Sequence, residues 1–116
     1  MRRPTDDRAF FLRVTAEIEQ AKRIGRRRQT PFFNLVSCAS SSPRTRVGII
    51  VGKRLGTAVV RNRAKRVFRE LARQVREDLA ASRNILVFPR REALAHPHAA
   101  LREAWVEALE QEGLLK

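Results

Sequence analysis

Acidic side chains are missing from a large part of this 116-residue chain. Residues 20–69 contain no Asp or Glu, against fourteen Lys or Arg. A stretch like this cannot neutralise itself, and it lacks the clustered carboxylates with which a protein holds two catalytic metal ions. Tyrosine is absent throughout, which removes one of the usual platforms for stacking a nucleobase. The only cysteine, Cys38, has no partner for an internal disulfide, which fits a reducing compartment. No apolar run approaches the roughly 20 residues of a membrane span. The basic start Met1-Arg2-Arg3-Pro4-Thr5-Asp6-Asp7 is followed by no apolar leader segment. A cytoplasmic protein with no membrane partner is therefore expected.

The charge that is present is concentrated. Of the net +13, the first nineteen residues contribute nothing, and the residues after 69 contribute −1. The middle of the chain carries the excess, and its natural counterpart is an external polyanion, most often nucleic acid. An anionic membrane surface is the competing partner, but that role pairs a basic face with exposed bulky apolar residues. Here the apolar positions are accounted for as core. At 43% hydrophobic the composition is that of a folded protein. The length suits one domain, expected over residues 15–113, with an N-terminal arm at 1–14 and a short tail at 114–116.

The pattern of elements begins with Phe10, Phe11, Leu12 and Val14, apolar anchors within the arm. Thr15 is a plausible N-cap for a short helix that Gly25 stops. Arg26-Arg27-Arg28 reads as a basic connector, open to phosphate or simply solvated. Strands are expected over 32–38, 47–51 and 84–88. Between the last two, residues 57–81 form the longest helix, with Val60, Ala64, Val67, Phe68, Leu71, Val75 and Leu79 on one stripe. Asn62, Lys65, Arg66, Arg69, Arg73 and Arg76 make a basic ridge opposite. Pro97 starts a final helix, whose apolar face is Leu101, Ala104, Trp105, Ala108 and Leu109. The order of elements implies an α/β (α+β) sandwich, with helices packed on a small mixed sheet.

The informative stretch is Lys53-Arg54-Leu55-Gly56-Thr57-Ala58-Val59-Val60-Arg61-Asn62-Arg63-Ala64-Lys65-Arg66-Val67-Phe68-Arg69-Glu70. Two cations at a strand end lead through a glycine turn into a helix with six further polar or cationic residues in its first turns. A helix N-terminus offers free N–H groups and partial positive charge to phosphate. Arginine adds a planar fork for phosphate and for base edges. If six to eight phosphates are neutralised, affinity falls with salt at a log–log slope of roughly −5 to −7. The plain alternative is a solvated helix face with Arg66 and Glu70 paired at i,i+4.

This stretch closely resembles the bacterial ribonuclease P protein subunit, whose pattern K-[KR]-x-G-x-A-V-x-R-N-R-x-K-R-x-x-R-E it fills at every motif position. Weaker resemblance extends over about residues 12–110, through Leu12, Thr15, Gly25, Phe33, Arg46-Val47-Gly48, Ile85-Leu86-Val87 and Arg90. The resemblance implies a ribonucleoprotein that removes the 5′ leader from precursor tRNA. In it a large RNA subunit performs the hydrolysis with Mg2+, which it mainly holds itself, and no small-molecule cofactor takes part. It further implies a left-handed βαβ crossover through the long helix. Contacts to the RNA subunit would fall to Lys53, Arg54, Arg61, Asn62, Arg63, Lys65, Arg66 and Arg69. Arg61 and Asn62 would help to position a metal-bound phosphate. The leader would lie in a cleft between the first helix and the sheet, at Ile18, Lys22, Phe33 and Val36. At the first two and the last of these positions the family often has aromatics, so stacking is weakened here, and Lys22 offers a phosphate contact instead. Phe32 and Phe33 alternate across a strand, and Phe33 is open to two readings, leader contact or core.

Other candidates are weaker. His96 and His98 flank Pro97 without further zinc ligands, Cys38 reads as buried filler, and Trp105 reads as core. Two rival functions remain distinguishable. A ribosomal or other structured-RNA-binding protein would footprint on a different RNA, and a protein-only nuclease would cleave precursor tRNA unaided.

Overall fold

The computed structural model describes residues 9–116, so the portion of the expected arm before residue 9 lies outside the described residues. Three α-helices lie wholly within them: α1 at Thr15–Ile24, α2 at Ala58–Gln74 and α3 at His98–Gln111. Four strands, β1 at Arg26–Gln29, β2 at Phe33–Ala39, β3 at Arg46–Ile49 and β4 at Arg83–Pro89, form one mixed sheet in the order β1-β2-β4-β3. β2 runs antiparallel to both β1 and β4, while β3 and β4 are parallel neighbours with α2 in the connection between them.

The alternation of each strand divides the sheet into two faces. Phe33 and Leu35 of β2, Val47 of β3, and Ile85 and Val87 of β4 pack with Phe68, Leu71 and Ala72 of α2 and Leu101, Trp105 and Leu109 of α3. On the other face, Val36 and Leu86 pack with Ala21 of α1 and with Leu12, and Ile18, Cys38, Ile50 and Phe88 lie around them, partly buried. The molecule is thus a sheet with α2 and α3 on one side and α1 on the other.

Phe10, Phe11 and Leu12 are buried, and the N–H of Leu12 donates to the carbonyl of Val47 at 2.8 Å. That contact covers the outer edge of β3. At the other end, Leu114 is buried, Leu115 pairs with Leu79, and the N–H of Lys116 donates to Asp78. Residues 114–116 therefore close against the end of the α2 segment.

Three local expectations need correction. Arg26–Gln29 is an edge strand, not a connector. Thr15 is the first helical residue; the N-cap position is Val14, without a side-chain cap. The long helix ends at Gln74, and Arg76–Asp78 is a separate 3-10 turn, although Val75 and Leu79 remain buried as the stripe requires. As expected, Gly25 ends α1, and it does so in extended backbone at a point of close approach. A Cβ there would lie 2.3 Å from the carbonyl oxygen of Ala21 and 2.4 Å from a methyl of Val36. Only glycine lets α1 leave the sheet at that point.

Candidate nucleic-acid interface

The cationic surface is assembled where β3 gives way to α2. Lys53–Leu55 forms a 3-10 turn whose Leu55 is buried, leaving Lys53 and Arg54 exposed. Gly56 follows at φ +149 and ψ −155, a conformation essentially restricted to glycine. It turns the chain so that Thr57 caps α2, its hydroxyl accepting from the N–H of Val60 at 3.4 Å. Ala64, Phe68, Leu71 and Ala72 bury one side of α2 and so fix its rotation. Asn62, Arg63 and Arg66 are then exposed, while Arg61, Lys65 and Arg69 are half-buried.

Charge on this face is unopposed. Among the described residues, no carboxylate pairs with Lys53, Arg54, Arg61, Arg63, Lys65, Arg66 or Arg69. Arg63 makes only a 3.4 Å contact to the carbonyl of Leu94. The expected alternative pairing of Glu70 with Arg66 does not form; Glu70 faces Arg73 at 3.5 Å. The ridge is also shorter than its periodicity suggests. The guanidinium of Arg73 lies 5.5 Å from the ring centre of Phe11, and that of Arg76 lies 4.9 Å from that of Phe10. Both turn towards the N-terminal segment as cation–π contacts.

The second proposed surface lies on the α1 side of the sheet, and only part of it gathers there. Ile18 and Lys22 are half-buried on α1, with Lys22 near Glu19 at 3.5 Å. Val36 is on this face but only 1% exposed, because the end of α1 sits directly on it. Phe33 belongs to the opposite face and is 0% exposed, its ring edge-on to Phe68 at 5.8 Å and to Trp105 at 5.7 Å. Of its two readings, core is the correct one; a ring enclosed on every side offers no face to a base. Val36 is likewise packing for α1 and not a contact surface.

Residues not singled out from the sequence occupy the accessible part of this face. Phe88, in β4, is half-buried beside Ile18 and Ile50, and its register partner is Asn34, also half-buried. The Oδ1 atom of Asn34 is enclosed without a hydrogen-bond partner. Strand alternation puts Phe88 opposite Val87, and that alternation was the available signal. The triple arginine splits. Arg26 and Arg28 pair with Glu112 at 3.1 and 2.8 Å, and Arg27 donates to the carbonyl of Lys22 at 2.6 Å. Arg46, on β3, pairs with Glu17 of α1 at 2.8 Å.

Remaining candidates are structural. Trp105 is core, and His96 packs on Phe32 with ring centres 4.6 Å apart. Cys38 is half-buried, and burial raises its thiol pKa above the ordinary value. Among the described residues, no three His, Cys, Asp or Glu side chains come together to hold a metal ion. Among the same residues, no helix is long and apolar enough to cross a membrane.

A small mixed sheet carrying an arginine-rich helix, whose cations find no carboxylate among the described residues, defines a basic α+β protein with one concentrated cationic face. Solved structures with the same fold include the Staphylococcus aureus RNase P protein, at TM-score 0.81 and 22% identity, covering 92% of this chain and 98% of that one. The RNase P protein of Thermotoga maritima matches at TM-score 0.78 and 24% identity, covering 87% and 96%. At these identities the likeness is one of fold. The family model described as Ribonuclease P matches residues 7–112. The ribonuclease P protein component of Desulforapulum autotrophicum is 38% identical over 84 residues, 72% of this chain and 66% of that protein. That of Roseiflexus castenholzii is 34% identical over 104 residues, 90% and 85% of the two chains. This chain belongs to the ribonuclease P protein family. It spans slightly under two thirds of the length of several of these relatives, 66%, 63% and 61% in three cases.

Proposed function

We propose that this chain is the protein subunit of a cytoplasmic ribonuclease P ribonucleoprotein, which removes the 5′ leader from precursor tRNA. The observation that carries the reading is the face from Lys53 to Arg69, seven cations without a carboxylate partner among the described residues, in a chain of this family. Lys53 and Arg54 on the turn, with Arg61, Arg63, Lys65, Arg66 and Arg69 on α2, bind the phosphates of the RNA subunit. The free N–H groups at the start of α2 add to that attraction. Asn62, exposed between two arginines, supplies both a donor and an acceptor, and with Arg61 it helps to place a phosphate near the reaction.

The leader runs across the α1 side of the sheet as a single strand. Lys22 meets a phosphate there, Ile18 gives apolar contact, and Phe88 is the ring on which a base stacks. The chain contributes binding, orientation and charge neutralisation. Hydrolysis and its magnesium belong to the RNA subunit, and no protein side chain is assigned a bond-breaking step.

Reconstitution with a bacterial ribonuclease P RNA at low magnesium tests this. Precursor-tRNA cleavage should rise sharply when the protein is added, and the protein alone should cleave nothing. Absence of stimulation, or cleavage by the protein alone, would contradict the reading.

A further inference from the structure

β1 places three consecutive arginines on an open edge of the sheet. Arg26 and Arg28 are register partners of Ser37 and Leu35, so they point to the α2/α3 side; Arg27 partners Val36 and points to the α1 side. On the α2/α3 side, both outer arginines converge on Glu112, whose side chain is 3% exposed. Glu112 occupies the C-cap of α3, where the partial negative charge of the helix end disfavours a carboxylate, and burial disfavours it further. Two guanidinium groups offset both effects, Arg28 by a hydrogen bond to Oε2 at 2.8 Å and Arg26 by its charge 3.1 Å from Oε1, which has no hydrogen-bond partner.

A strand's side chains repeat every two residues, so a slip of one would turn Arg26 and Arg28 to the α1 side and Arg27 towards α3. A strand of arginines has no apolar pattern of its own to prevent this. The turn into β2, where Thr30 and Phe33 hydrogen-bond to each other, sets the pairing from one end, and Glu112 locks it from the α3 side. With the register held, Arg27 stands next to α1, one amino group on the Lys22 carbonyl at 2.6 Å and the side chain otherwise exposed.

We propose that Glu112 is a positioning residue for substrate binding: by clamping Arg26 and Arg28 it holds the register of β1 and aims Arg27, beside Lys22, at a phosphate of the 5′ leader. The inference rests on the leader reading above.

The test uses the reconstituted holoenzyme and two precursor tRNAs, one with a long leader and one with a single leader nucleotide. R27A should weaken binding of the long-leader substrate roughly 10- to 150-fold relative to the short one, the effect of one lost charge-assisted hydrogen bond. E112Q, which keeps the shape and removes the charge, should cause a loss of the same kind. The double variant should lose no more than R27A alone, because Glu112 acts through Arg27. Additive losses, equal losses on both substrates, or an R27A holoenzyme that behaves as wild type would overturn the proposal. If E112Q fails to fold, R27A still decides: a loss confined to the long leader supports the assignment, and no loss overturns it. A wild-type holoenzyme that does not distinguish the two substrates would remove the leader reading and this inference together. One that does, with R27A silent, removes this inference alone.

Discussion

Replacing Arg63 and Arg66 by Ala tests the electrostatic argument quantitatively. Both residues are exposed, they lie one turn apart on α2, and neither pairs with a carboxylate among the described residues. Nothing in the core depends on them, since α2 is held by Ala64, Phe68, Leu71 and Ala72. If the seven cations from Lys53 to Arg69 each release a counterion on binding the RNA subunit, the log–log slope of affinity against salt is about −6. Losing two of them brings it to about −4.5. A threefold rise in salt should then weaken the wild-type complex roughly 700-fold and the double variant roughly 140-fold. The assay is filter binding to ribonuclease P RNA over a salt series, with circular dichroism to confirm equal folding. A double variant with the wild-type slope would mean that these arginines do not meet phosphate, and the reasoning would fail even if the absolute affinity changed.

Phe33→Ala should cost about 3–5 kcal/mol in urea unfolding, because it removes a fully enclosed ring from between Phe68 and Trp105; a loss below 1 kcal/mol, on the order of a surface change, would place the ring outside the core. Phe88→Ala should weaken long-leader substrates by about 1–3 kcal/mol, the loss of one stacked base, and equal binding by variant and wild type would remove its assigned role. The Cys38 thiol has a raised pKa through burial. It should therefore react with a thiol reagent more slowly than free cysteine at the same pH. The sign for stability follows: the folded state favours the neutral thiol, so this contribution is present below the unfolded pKa and is lost as pH rises through the folded one. Faster reaction than free cysteine would contradict the direction of the shift.

Much of this architecture can be read from local pattern. The stripe of Ala64, Phe68 and Leu71 sets the rotation of α2, and the same periodicity puts Asn62 and Arg66 outside, so the cationic face and its motif are legible together. β2, β3 and β4 are marked by β-branched and apolar runs. β1 is not, because an edge strand of arginines carries no alternation, and the carboxylate that pairs with Arg28 lies 84 residues away. The side on which Phe33 lies was equally out of reach: alternation separates Phe33 from Asn34 but does not say which face is closed by two helices. Where Arg73 and Arg76 end the ridge, the cause is again distant, the rings of Phe11 and Phe10. Local periodicity specified the cationic helix well; contacts between remote segments decided which side chains line the α1 face of the sheet.

The central claim is that the face from Lys53 to Arg69 lies against the RNA subunit. A hydroxyl-radical source tethered through a single cysteine tests it directly. With the half-buried Cys38 replaced by Ala, the source is placed at position 62 on α2, or at exposed position 103 on α3 as the comparison. In the holoenzyme, the probe at 62 should cut ribonuclease P RNA at a few discrete sites, and the probe at 103 should leave those sites intact. Cleavage from 103 with none from 62 would contradict the account.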